Sequence, residues 1–112
     1  MSRALTGAAV ASLGIAAAAA VYGALVERTA YRVRREVVPV LSPGADPIRV
    51  LHLSDLHLAP WQRSTIAWVR SLAELQPDLV INTGDNLGHP DALPAVADAL
   101  SAFDGVPGAF VH

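Results

Sequence analysis

Two apolar runs, each ending in a carboxylate, set the terms on which this chain can fold. Ile48–Leu53 leads into Ser54-Asp55-Leu56-His57, and Leu79–Thr83 leads into Gly84-Asp85-Asn86. The two aspartates stand thirty positions apart, about the length of one strand–helix–strand unit. Runs that are apolar at most positions suit strands covered on both faces, as in parallel sheets. Ligands collect at the carboxyl ends of such strands because the connecting loops converge there. Asp55, His57 and Asp85 are therefore predicted to share one sheet edge. Carboxylate oxygens beside an imidazole nitrogen suit Mn, Fe or Zn, and a chain without cysteine cannot build a thiolate zinc site.

S-D-L-H followed by T-G-D-N resembles the opening of the calcineurin-like metallophosphoesterases. That family's pattern begins D-x-H and G-D, then continues with G-N-H-(D/E), a lone His and G-H-x-H. The resemblance covers about residues 46–112 and reaches the first two motifs. It implies an α/β fold, the first β-α-β-α-β portion of a metallophosphoesterase sandwich, incomplete here. It also implies hydrolysis of a phosphoester by water held between two divalent metal ions, Mn, Fe or Zn. Carried over, Asp55 and His57 would bind the first ion and Asp85 would bridge the two, making Asp55 and Asp85 the catalytic pair. Gly84 would let the backbone turn tightly beneath them.

Asn86 and His89 are candidate substrate contacts. Asn86 also reads as a turn residue, and His89 as an exposed loop histidine. Gly105–Gly108 reads as a turn into a third strand that includes Phe110–His112, and no Gly-Asn precedes His112, which is not expected to be a ligand. The chain is thus expected to be the amino-terminal part of a longer phosphoester hydrolase, with little activity of its own. The alternative is an inactive tethered fragment, or a non-catalytic metal-binding or interaction protein. A phosphatase with an aspartyl nucleophile typically wants D-x-D at the strand end, and here the second position is His57.

Leu5–Val26 is 22 residues without a charge, nine of them Ala and three Gly. A bilayer span needs about 20 residues, so residues 1–27 are expected to form a transmembrane anchor. A secretory signal peptide cleaved near Ala18–Ala20 is the alternative, which would make the protein exported. Residues 28–47 read as a basic juxtamembrane linker carrying Arg28, Arg32, Arg34 and Arg35, and residues 48–112 as the partial enzyme domain. A membrane location makes a lipid-linked phosphoester an attractive substrate. Residues 41–112 carry three Arg against seven Asp and one Glu, an acidic balance that argues against nucleic-acid binding.

Between these landmarks, Val37–Leu41, interrupted by Pro39, reads as a short edge strand. Ser64–Leu75 reads as a helix capped by Ser64 or Thr65 and stopped by Pro77. Asp91–Phe103 reads as a second helix capped by Asp91, with Pro94 in its first turn. Its apolar face is predicted to be Leu93, Val96, Ala97, Leu100 and Phe103. His52 reads as a packed strand residue, and Trp61 and Trp68 as packing residues or, for Trp61, a lid over the site.

Overall fold

The computed structural model describes residues 2–25 and 30–111, with side chains described over 9–21 and 30–111. Arg28 and His112 lie outside the described residues. The chain divides into two units, residues 1–39 and 40–112.

The first unit holds helix α1, Ser2–Leu25, rich in alanine, the strongest helix former. Its described side chains, from Ala9 to Val21, are all exposed. Among the described residues no helix is long and apolar enough to cross a membrane. The expected transmembrane anchor is therefore not supported. Alanine and glycine, which dominate this helix, contribute little to transfer into hydrocarbon. The edge strand expected at Val37–Leu41 is also absent. Pro39 lacks an N–H, and Val37 and Val40 are 95% and 77% exposed with no neighbouring strand to pair with.

The second unit contains strand β1 (Val50–Leu53), helix α2 (Arg63–Ser71), strand β2 (Leu79–Asn82), helix α3 (Leu93–Ser101) and strand β3 (Gly108–Phe110). The three strands are parallel in the order β1-β2-β3, with Leu53 opposite Asn82 and Asn82 opposite Phe110. This is the expected β-α-β-α-β order, with the start of β1 displaced from prediction. β1 begins at Val50 rather than Ile48: the Leu79 N–H donates to the Arg49 carbonyl and opens the Val50–Leu79 pairing, and the Asp78 N–H donates to the same carbonyl. The N–H of Arg49 in turn donates to the Asp78 carboxylate at 2.8 Å. β3 begins at Gly108, where a Cβ would collide with the Val80 carbonyl of the adjacent strand.

Both helices differ from prediction at their amino ends. α2 has Gln62 at its N-cap with no side-chain cap bond; the Gln62 amide oxygen instead accepts from the Ala59 N–H at 2.8 Å. α2 tightens into a 3-10 turn over Leu72–Leu75 and ends at Gln76, whose φ of 52° reverses the chain before Pro77. α3 has Ala92 at its N-cap, with Pro94 in the first turn as expected. Asp91 stays in the preceding turn.

The buried side of α3 is Ala95, Val96 and Ala99, joined beyond the helix by Phe103, while Leu93 is 61% exposed. The predicted face was thus rotated. α3 is apolar around much of its circumference, so periodicity alone does not choose the side. α2 and α3 pack on each other and are clipped by Arg70. Its Nη1 donates to the Asp98 carbonyl at 2.6 Å and to Ser101 Oγ at 2.7 Å.

Leu53, Leu58, Ile66, Val69, Leu72, Val80, Val96 and Phe103 belong to one core. Leu58 and Val69 are fully enclosed, each contributing about 1.5–3 kcal/mol through burial. Leu58 immediately follows His57, so the core reaches directly beneath the loop of Asp55 and His57. Replacing Leu58 by Ala is expected to cost about 2–5 kcal/mol of unfolding free energy. Urea denaturation of the full chain measures this, and a loss below about 1 kcal/mol would remove Leu58 from this central role.

Candidate metal centre

The parallel ladder does not stop where the strands end. Thr83 N–H donates to the Leu53 carbonyl at 3.0 Å, Asp55 N–H to Gly84 at 2.9 Å and His57 N–H to Asp85 at 3.2 Å. Leu58 N–H then donates to Asn86 at 2.8 Å, and Gly88 N–H to Leu58 at 2.8 Å. Leu58 and Leu87 form a last parallel bridge. Backbone groups thus hold the two loops in register.

That pairing coexists with an unusual backbone. Four described non-glycine residues have positive φ, and three are Asp55 (54°), His57 (44°) and Asp85 (57°). Asp and His tolerate this region better than most residues, yet such conformations cost of order 1–3 kcal/mol each and gather at functional sites. Along the first loop burial alternates: Asp55 exposed, Leu56 half-buried, His57 exposed, Leu58 buried. The apolar pair anchors the loop while the polar pair remains accessible.

Beneath the second loop lies a polar brace. Asn82 is 3% exposed, and its amide pairs reciprocally with that of Asn86 through two 3.1 Å hydrogen bonds. Asn82 Oδ1 also accepts from the Gly84 N–H at 2.9 Å, and Gly84 has the positive φ, 98°, expected of a tight turn. Among the described residues no buried side-chain nitrogen or oxygen lacks a partner. Asn82 was missed by sequence reasoning, although an Asn closing an apolar strand is the signal that could have found it.

The three predicted ligands come together. His57 Nε2 lies 3.0 Å from Asp85 Oδ2 and 4.0 Å from Asp55 Oδ1. One ligand atom from each residue falls within 4.8 Å of the others. Ser54 Oγ donates to Asp55 Oδ2 and orients that carboxylate. The three side chains are 55–64% exposed, and ion pairs so placed contribute only about 0–1 kcal/mol. Stability does not account for the cluster.

Donors about 2.0–2.2 Å from one ion lie at most roughly 4.4 Å apart. Closing from 4.8 Å needs sub-ångström movement of accessible side chains. The donor set of two carboxylates and one imidazole thus fits a hard or borderline divalent cation.

The remaining expectations distribute around this group. His52 is exposed rather than packed, and its Nε2 pairs with Thr83 Oγ1 at 2.9 Å. Asn86, a candidate substrate contact, uses its amide in the Asn82 pair. His89 Nδ1 accepts from the Asp91 N–H at 3.1 Å, and its ring meets that of Trp61 edge-on, centroids 5.1 Å apart. Trp61 is 68% exposed, whereas Trp68 packs against the core. A cavity of about 410 Å³ adjoins Asp85 and is lined by Asn86, Leu87, Leu93, Val96, Ala97, Leu100 and Phe110. It accounts for the exposed side of α3.

Parallel strands whose loops converge two carboxylates on an imidazole define an α/β domain with a candidate metal centre. A family model described as calcineurin-like phosphoesterase matches residues 48–111. This chain belongs to the calcineurin-like phosphoesterases. No curated protein and no solved structure matches it.

Gly88 tests how tightly the loops are locked. A Cβ there would collide with the His57 carbonyl, so Gly88→Ala must push the two loops apart. We expect a stability loss of about 1–3 kcal/mol together with weaker Mn²⁺ binding. Denaturation and calorimetry on the same variant measure both, and unchanged values in the two would show that the loops tolerate separation.

Proposed function

We propose that Asp55, His57 and Asp85 bind divalent metal and that the protein hydrolyses phosphoesters at that centre. The observation that carries this reading is the convergence of three donor atoms within 4.8 Å in a chain belonging to a phosphoesterase family. In this reading Asp55 and His57 would hold one ion, and Asp85 would serve that ion and a second. When bound, such ions withdraw charge from phosphoryl oxygens and make an attacking water available near neutral pH.

The chain's own contribution is placement. Ser54 orients the Asp55 carboxylate, and the His57–Asp85 backbone bond fixes the spacing between the two loops. Leu58 and Asn82 make that spacing rigid from below. Holding groups in place beforehand spares the reorganisation that would otherwise raise the barrier.

A second reading, metal binding without turnover, has one observation in its favour. Among the described residues a single cluster of three donors is assembled, enough for one ion and a share of another.

Isothermal titration with Mn²⁺ and turnover of a chromogenic phosphodiester separate these readings. Wild-type chain is expected to bind Mn²⁺, and metal at one hundred times its Kd should add about 2.7 kcal/mol of stability. Asp85→Asn preserves a side chain that tolerates positive φ, so folding should persist. Its Mn²⁺ affinity should fall at least about tenfold, or 1.4 kcal/mol. Turnover that Asp85→Asn abolishes would select the first reading; a wild-type chain that ignores Mn²⁺ would sink both.

A further inference from the structure

Trp61 and His89 each stand four residues beyond a ligand of the candidate centre, His57 on one loop and Asp85 on the other. Their rings meet edge-on with centroids 5.1 Å apart, so the contact bridges the two loops that carry the ligands. Gly88, immediately before His89, lies against the His57 backbone with no room for a Cβ. The start of this bridge is therefore fixed to the same backbone that holds the ligands.

The imidazole of His89 is held in one tautomer. Its Nδ1 accepts the Asp91 N–H at 3.1 Å, and a nitrogen that accepts carries no proton, so in the neutral ring the proton resides on Nε2. Among the described residues Nε2 makes no hydrogen bond. The side chain is 35% exposed, its ring steadied by Trp61 while that nitrogen remains a donor. A fixed donor in the loop that follows a metal ligand suits an anionic oxygen, for which charge-assisted hydrogen bonds are roughly twice as strong as neutral ones.

Building on the phosphoesterase reading, we propose that His89 is a substrate-binding residue, donating from Nε2 to a phosphoryl oxygen of the phosphoester at the Asp55–His57–Asp85 centre. Trp61 is its positioning residue, keeping the ring at the rim of the two loops. The hydrogen bond is one of ground-state binding and orientation, with no proton transferred.

The test is calorimetry on the full chain, first with Mn²⁺ alone and then with inorganic phosphate added to the Mn²⁺-loaded protein. His89→Ala should leave Mn²⁺ affinity unchanged and weaken phosphate binding about tenfold or more, the effect of one lost hydrogen bond to a charged group. His89→Gln, whose amide nitrogen falls near the place of Nε2, should recover much of that loss. Trp61→Ala should weaken phosphate binding by a few fold and metal binding not at all. Phosphate bound equally by wild type and His89→Ala would overturn the assignment, as would Mn²⁺-loaded wild type that binds no phosphate. In those two outcomes the metal-centre reading stands. Wild type that binds no Mn²⁺ overturns both.

Discussion

Backbone pairing between two loops, continued past the ends of their strands, is the constraint on which the rest of this domain depends. β1 and β2 pair for four residues each, but the hydrogen bonds run on through Asp55, His57, Leu58 and Gly88. Without that extension, three exposed polar side chains on separate loops would have no reason to converge. With it, their Cα positions are set by main-chain geometry, and the side chains need only small adjustments to meet a common ion. The strained φ values of Asp55, His57 and Asp85 are tolerable because ladder bonds of about 0.5–1.5 kcal/mol each and the burial of Leu58 hold the loops down.

The domain separates what is buried from what reacts. Leu58 and Asn82 are enclosed and fully partnered, and they fix the floor. Asp55, His57 and Asp85 sit on that floor in water. Exposure keeps their own mutual attraction weak, which leaves the carboxylates able to favour a cation over one another's neighbours. The apolar cavity beside Asp85 gives the second loop an uncovered flank along α3, quite different in character from the Trp61–His89 rim.

Much of this was legible from residue order because the signals were local. Apolar runs ending in D-x-H and G-D placed the two strands and the three candidate ligands, and Pro77 and Pro94 marked helix boundaries. Elements that depend on a distant partner were harder. The start of β1 is set where Asp78 and Leu79 meet Arg49, some thirty positions away. Val37–Leu41 had strand-like composition but no strand beside it. The buried side of α3 fell on Ala95 and Ala99, since a helix apolar on two sides leaves the choice to what it packs against. The long apolar amino terminus folded as helix, as alanine dictates, yet among the described residues it does not meet the requirement for crossing a membrane.

Composition and spacing by themselves determined that this chain makes a parallel α/β unit, and that two carboxylates and an imidazole belong at one edge of it. Family membership follows from the same residues. Only the tertiary structure decided that Asn82 braces the second loop, that Gly88 must lack a Cβ, and that Trp61 meets His89 edge-on. The physical reason is one of range. Strand and turn preferences act between neighbours in sequence, whereas these three features exist only where residues remote in the chain have been brought within van der Waals or hydrogen-bond distance.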